Sequence, residues 1–401
     1  MNLAPPIALE EAQRRLLAMA EPLGPETVPV EQAMGRYFAE PLVARRTQPS
    51  ADLSAMDGYA MRADDRTGPW RVIGESAAGH PFAGELAVGE AVRISTGAMM
   101  PVGGGAVLLQ EQAVREGDRL ALGESGEASA RHIRRKGFDF TIDQHLLPAG
   151  SRIGAGQLAL AIAAGRSELP VGRQPSVAVL DSGDELCANP ADCAAHQIPA
   201  SNGVMLAALC APLARSVSRL GPVPDTMEAM LAALAHADGY DVLVTSGGAS
   251  VGDHDLVRPA LEQWGANIDF WRVAIRPGKP LLVARRGRQL VVGLPGNPVS
   301  SYVTAFLFLL PLLRRLGGSS DAPPETMAVE LGASLPAGGS RLEFIRAVLA
   351  EGVVRPLAVQ DSSALRSLAL ANALIRREVG APAAESGSRV MVHLLENGGI
   401  A

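Results

Sequence analysis

Cysteine is scarce: Cys187, Cys193 and Cys210 are an odd set without CxxC spacing in a chain of 401 residues. That number argues against a disulfide framework and falls short of a structural metal site, so they read as reduced thiols. Aromatic residues make up only 4%. Ala, Gly and Pro are abundant, which weighs against an all-β sandwich and toward α/β packing with many tight turns. Positive charge is also short, with 36 Lys and Arg against 42 Asp and Glu and a net charge of −6. Such a chain has no global attraction for nucleic acid or an anionic membrane, so any anion must be held by local groups. No basic segment followed by an apolar run opens the sequence, and a cytoplasmic location is expected. The most apolar run, YVTAFLFLLPLL from Tyr302 to Leu313, contains Pro311 and is well short of the ~20 residues that cross a bilayer. It predicts a buried core helix.

What is present is length enough for several cores. EEAQRRLLAMAEPL has apolar residues at helical spacing before Pro25 and Pro29 end the pattern. Between Ser50 and Gly150 the segments WRVIGESAAG, EAVRIST and GAVLLQEQ read as short strands divided by glycine and proline. The stretch LPAGSRIGAGQLALAIAAGRSELPVGRQP reads as a turn, a helix and a Pro-flanked linker. From Ser176 near-continuous apolar strands alternate with helices, predicting a parallel sheet covered on both faces, with Ser201 or Asn202 capping the first helix. GGSSDAPP then reads as a hinge before a strand-rich module. The expected boundaries are 1–170, with its β-rich part at about 50–147, then 175–318 and 325–401.

Ligands of open α/β sheets bind at the carboxyl ends of strands. Three polar clusters fall there: Ser182-Gly183-Asp184-Glu185, Thr245-Ser246-Gly247-Gly248-Ala249-Ser250 and Leu294-Pro295-Gly296-Asn297-Pro298. Consecutive small residues in TSGGAS let backbone N–H groups approach an anion or pterin, although a plain strand-to-helix turn needs only one glycine. The Gly-Lys-Ser/Thr ending of a Walker loop is absent. Asp184, Glu185, Asp225, Asp253 and Asp255 could hold a hard cation if their loops converge, or could be solvated turn residues. Arg272, Arg276 and Lys279 surround a Pro-Gly turn, suiting either an oxyanion or a solvated hairpin.

Taken together and in order, SAMDGYA, RISTGAMMP, IRRKGFD, SGDEL, SNGVML, TSGGASVGDHD, RPGKP, GLPGNPVS and SSALRSLALANALI resemble the molybdenum insertases, the MoeA family with the catalytic part of gephyrin. The resemblance covers effectively the whole chain. It implies a multidomain α/β fold: a central three-layer α/β molybdopterin-binding domain, a β-rich N-terminal region of two interleaved subdomains, and a small C-terminal β-barrel. It also implies a homodimer, Mg²⁺ as cofactor, and insertion of molybdenum from molybdate into adenylylated molybdopterin (molybdopterin-AMP) with release of AMP. The molybdopterin adenylyltransferase and downstream cofactor-handling proteins are the implied partners.

Carried over by motif, Asp255 would be the chief acid at the phosphoanhydride and, with Glu185, a metal ligand. Glu185, Asp225, Asp57 and Lys279 would be further catalytic positions, with Asp57 and Thr96 reaching across the dimer interface. Thr96, Asp184, Ser201, Asn202, Ser246, Gly247, Gly248, Ser250, Pro295, Gly296 and Asn297 would bind substrate. Arg276, Lys279, Arg346, Ser362 and Ser363 would cradle molybdate. Phosphoanhydride cleavage needs positioning and charge neutralisation rather than a nucleophilic side chain, which suits this equipment. Three departures stand out. Ala200 occupies the position before Ser-Asn where the family usually has an acid, Gly104 and Gly105 replace Ala and Asp, and Arg276 replaces a lysine. The change at Ala200 motivates an alternative, a non-catalytic carrier of molybdopterin or finished cofactor.

Overall fold

The computed structural model describes residues 5–247 and 256–395. Helix α1 (Leu9–Ala18) buries Leu9, Ala12 and Leu16 on one face, and Glu11 on the other pairs with Arg14 and Arg15. After it, β1 (Pro25–Pro29) leads into an excursion that includes β2 (Gly58–Arg62), β3 (Trp70–Ser76), β4 (Glu90–Ile94), β5 (Gly104–Leu109), β6 (Ala113–Glu116) and β7 (Arg119–Leu122). These six form one sheet in the order β5-β2-β4-β3-β7-β6, around a core that includes Met61, Trp70, Leu108 and Leu120. The chain returns through α2 (Ala155–Ala163) and β8 (Glu168–Gly172).

Sequence pattern failed at β8. The stretch that reads as a linker is a strand paired along its whole length with β1, from Pro25↔Gly172 to Pro29↔Glu168. Arg36, 9% exposed, fastens this ribbon by donating to Glu26 and, at 2.8 Å, to the Gly172 carbonyl. Proline at 25, 29 and 170 hides the strand from a propensity count, because pairing with a distant partner lies outside any local window.

The central domain runs through β9 (Ser176–Ser182), α3 (Ser201–Cys210), β10 (Ser216–Val223), α4 (Met227–His236), β11 (Val242–Ser246), α5 (Val257–Gln263), β12 (Asn267–Arg272), β13 (Pro280–Arg286), β14 (Gln289–Leu294) and α6 (Pro298–Leu316). Strand order is β10-β9-β11-β14-β13-β12. Residues of α1, α3 and α6 join the apolar core on one face of the sheet, and those of α4 and α5 the core on the other, giving three layers. The sheet is not wholly parallel, as its apolar strands had suggested. β13 runs antiparallel to both β14 and β12, because Arg286↔Gln289 close a two-residue hairpin with Gly287 at φ +59°. The longest helix, α6, is long and apolar enough to span a bilayer, but its most apolar window is 89% buried inside the protein, as expected for a core helix.

The segment 317–324 is packed rather than loose. Ser319 and Ala322 are buried, the Ser320 N–H reaches the Gly150 carbonyl at 3.3 Å, and Arg314 donates to the Ala322 carbonyl. Beyond it, β15 (Met327–Leu331), β16 (Leu342–Ala350), β17 (Val353–Pro356), α7 (Leu365–Leu370), β18 (Ala373–Arg377) and β19 (Arg389–Leu394) complete the chain. Pairing runs β16-β17-β15-β19-β18 and back to β16, so five strands close into the small barrel expected at the C-terminus. Strand β16 is stitched to the central domain through Ile275↔Leu342 and Arg276↔Glu343.

Phe308, fully buried in α6 against the main core, gives a direct test of this packing. Phe308→Ala should cost about 3–5 kcal/mol in the central domain's unfolding transition, read from its denaturation midpoint.

Candidate functional site

Strands β9, β11 and β14 lie in register with Asp181 opposite Ser246 and Ser246 opposite Leu294. The SGDEL, TSGG and LPGNP segments therefore leave the sheet along one edge. Gly183 (φ +147°) and Gly247 (φ +93°) turn the chain there, and their N–H groups bond Val223 and Leu294 carbonyls, each at 3.1 Å. Asn202, in the first turn of α3, donates from Nδ2 to Ser246 Oγ at 2.9 Å and to the Gly296 carbonyl at 2.6 Å. Asn202, Ser246, Gly247 and Gly296 thus belong to one constellation, whereas Ser201 lines a separate cavity with Pro199, Ala200 and Arg219. Neither Ser201 nor Asn202 caps α3: the N-cap is Ala200, which makes no side-chain cap bond. Gly248, Ser250, Asp253 and Asp255 lie outside the described residues.

Beside this constellation a cavity of about 620 Å³ opens between the central domain and the barrel. Arg276, Lys279, Pro295, Gly296, Asn297 and Ser362 line it, joined by Arg341, Glu343 and Asp361. Helix α6 starts at its rim with Asn297 as N-cap, so the positive end of a long helix contributes there. The RPGKP turn is tight for a reason. Gly278 is buried at φ +100°, and a Cβ on it would run into Thr304 Oγ1. Arg276 donates to Glu343 at 3.1 Å. Arg276, Lys279 and Arg341 face Glu343 and Asp361, so the lining carries three cations against two anions.

Arg346 does not present a free guanidinium. It is 1% exposed and donates to Ser367 Oγ (3.2 Å) and to the carbonyls of Val359 (3.1 Å) and Asp361 (2.9 Å). Burial lowers its pKa, opposed by the nearby Asp361 carboxylate. Its bonds shape the 359–361 loop. Ser363 is likewise engaged, giving its N–H and hydroxyl to Asp361 Oδ1 at 2.8 and 2.6 Å, and these bonds lower the Asp361 pKa. The Ser362 carbonyl accepts from Val299 N–H at 3.0 Å, fixing the loop to α6.

The acidic residues divide. Asp225 N–H donates to Asp184 Oδ1 at 3.0 Å, and Asp184 N–H returns to Asp225 Oδ2 at 3.4 Å. Glu185 is exposed on the same turn. Among the described residues no three Asp, Glu, His or Cys side chains gather as a metal group. Asp57 and Thr96 sit elsewhere, on the N-terminal sheet. The Thr96 N–H donates to Asp57 Oδ1 at 2.6 Å, and backbone and hydroxyl bonds from Thr96 lower the Asp57 pKa. Neither residue lines the 620 Å³ cavity of its own chain.

Two charged residues escaped the motif search. Arg341 lies in a segment, GGSRLEF, without a signature. Asp181 stands inside the apolar run VAVLDSG, where a lone acid is itself the signal. It is 3% exposed, and burial raises its pKa to about 6 against the opposing pull of Arg219 and of the Gly203 N–H.

These features coincide with what the chain resembles. Residues 7–165 match the MoeA N-terminal region (domain I and II), 178–315 the probable molybdopterin binding domain, and 328–395 the MoeA C-terminal region (domain IV). A molybdopterin molybdenumtransferase of Haemophilus influenzae is 35% identical over 85% of this chain and 85% of its own, and one of Bacillus subtilis is 33% identical over 98% and 95%. The chain belongs to the molybdopterin molybdenumtransferase (MoeA) family. A crystal structure of a MoeA molybdopterin biosynthesis protein from Pyrococcus horikoshii superposes with TM-score 0.83 at 26% identity, covering 98% of this chain and 100% of that one.

Two departures from the MoeA pattern have physical accounts. A Cβ on Gly105 would fall 2.5 Å from the Ala63 Cβ, so a side chain there would require Ala63 to shift. Ala200 is 8% exposed and leaves the start of α3 without a cap of its own.

Asp181 also makes stability depend on pH. Its folded pKa of about 6 lies above the ordinary 3.8, so the folded state holds the proton more tightly. That contribution is complete below pH ~4 and is lost as pH rises through about 6. Asp181→Asn, which cannot ionise, should therefore gain melting temperature relative to the parent between these pH values. A difference that stays flat across the window would refute the assignment.

Proposed function

We propose that this chain inserts molybdenum from molybdate into adenylylated molybdopterin and releases AMP. The observation that carries the reading is the cavity itself: a cation-rich turn and a helix N-terminus meet there at the carboxyl edge of a molybdopterin-binding α/β domain. Molybdate, a dianion, lies in this reading between Arg276 and Lys279 and takes a hydroxyl donor from Ser362, while Ser363, its hydroxyl given to Asp361, keeps the loop in shape. Arg346 acts by holding that loop in shape. The pterin and its adenylyl group occupy the adjoining turns, with Asn202, Ser246, Gly247 and Gly296 forming the floor. Gly248, Ser250 and Asp255, outside the described residues, are assigned to the same substrate by their motif, and Pro295 and Asn297 border the molybdate. Placing two anionic reactants side by side among fixed cations lowers the cost of bringing them together, and departure of AMP needs no side-chain nucleophile.

Mg²⁺ does not fit the described residues as a preformed site, because Asp184 and Asp225 accept each other's backbone amides and no three ligands gather. By motif, Glu185 and Asp255 are its candidate ligands. Asp57 and Thr96, remote from their own chain's cavity, are assigned to the site of a partner in a homodimer. Cytoplasmic action beside an adenylyltransferase and cofactor-handling proteins completes the reading.

The test is AMP release from adenylylated molybdopterin with and without molybdate. Release should depend on molybdate, Asp255→Ala should abolish it, and Lys279→Ala should raise half-saturating molybdate roughly tenfold. Tight pterin binding without AMP release under any condition would overturn the transferase reading in favour of the carrier, the alternative that Ala200 motivates.

A further inference from the structure

A dianion held beside the RPGKP turn must be met by positive charge that no carboxylate already neutralises. The cavity lining offers Arg276, Lys279 and Arg341 against Glu343 and Asp361. Arg276 is exposed and committed. Its guanidinium donates to the Glu343 carboxylate at 3.1 Å, and the two residues are register partners where the turn meets β16. Asp361 has its own cation behind it, the buried Arg346, which donates to the Asp361 carbonyl at 2.9 Å. Lys279 and Arg341 remain. Both are half-buried, and among the described residues neither has a carboxylate partner. Two pairs cancel and two positive charges are left, which matches the charge of molybdate.

We propose that Arg341 is the second charge-bearing ligand of the oxyanion, acting with Lys279, while Arg276 borders the anion with its charge neutralised by Glu343. The placement of Arg341 is fixed by main chain. Its neighbour Leu342 pairs with Ile275 and gives its N–H to the Ala274 carbonyl at 2.9 Å. Arg341 Nη1 lies 3.4 Å from the Ile275 carbonyl, just before the turn that carries Lys279. A bond of that length is weak, so the guanidinium keeps its donors for an incoming anion. Its planar fork can give two parallel N–H bonds to two oxygens, where the Lys279 ammonium acts as a point charge. The two cations reach the cavity from different sides, Lys279 from the central domain and Arg341 from the start of the barrel strand β16. Partial burial also leaves them less screened by water than the Arg276 side chain, which is 65% exposed.

The inference rests on the proposed reading of the cavity, so the experiment separates the two. Binding of molybdate alone to the full chain is measured by equilibrium dialysis, and half-saturating molybdate is read separately from AMP release. Arg341→Ala, Arg341→Gln, Glu343→Gln and the double variant Arg341→Ala with Glu343→Gln are compared with the parent. Arg341→Ala should weaken molybdate binding roughly tenfold. It should raise half-saturating molybdate by the same factor, with the KM for adenylylated molybdopterin little changed. Arg341→Gln, uncharged but closer in length, should behave alike and serves if the alanine variant fails to fold. Glu343→Gln should bind molybdate severalfold more tightly, because it leaves the charge of Arg276 unpaired. In the double variant it should therefore restore most of what Arg341→Ala loses, a rescue that a purely structural role for Arg341 would not give. Unchanged molybdate binding in the Arg341 variants, a loss that Glu343→Gln does not repair, or a parent that binds no molybdate would overturn the proposal. If the parent binds molybdate but releases no AMP, the transferase reading fails, while the binding series still decides the role of Arg341.

Discussion

Much of this molecule depends on one side-chain amide. Asn202 directs its Nδ2 to Ser246 Oγ and to the Gly296 carbonyl, and so joins a helix start to the ends of two parallel strands. Without it, three loops of small residues would leave the sheet edge independently, each free to adopt several turn conformations. With it, glycines that would otherwise only lower rigidity become a surface of defined shape. The amide can act this way because both partners are themselves fixed: Ser246 is 5% exposed in a buried strand, and Gly296 precedes the N-cap of the long core helix.

The second wall of the cavity is held by main chain rather than side chains. Ile275 and Arg276 pair with β16 of the barrel, and the Leu342 N–H reaches the Ala274 carbonyl at 2.9 Å. The Val299 N–H bonds the Ser362 carbonyl from the other side. Backbone ladders tolerate side-chain change, so the place of the turn does not depend on which side chain stands at 276. Within that frame the buried Arg346 is costly to desolvate but offsets the cost by satisfying two carbonyls and a hydroxyl. Its charge is used to shape a loop, and the exposed charge facing the cavity comes from Arg276, Lys279 and Arg341.

How much of this the sequence discloses depends on how local the cause is. Helix periodicity located α1, an apolar run located α6, and strand–glycine junctions located the sheet edge, because each is a property of a few neighbouring residues. The small-residue turns were legible for the same reason. The reversal of β13 was not, since a Gly-Arg hairpin is one dipeptide inside an otherwise uniform apolar pattern. The pairing of β1 with β8 needs contact between remote segments. Arg346 in EFIRA reads as an available cation, because burial is invisible in a string of letters. The Asp184–Asp225 exchange of amides likewise depends on two loops meeting. Motif resemblance supplied the family and the fold, but it said nothing of Asp181, which lies where the matched pattern ends.

The β1–β8 ribbon has a consequence for how such a chain can evolve. Its two strands lie side by side, so the six-stranded sheet between them leaves and rejoins the rest of the molecule at almost one place. A unit tethered in that way is an insertion with adjacent ends, the arrangement in which whole modules are exchanged, lengthened or lost with least disturbance to their host. The sheet bearing Asp57 and Thr96 can therefore diverge at its own pace, while the ribbon, braced by Arg36, preserves the frame into which it plugs.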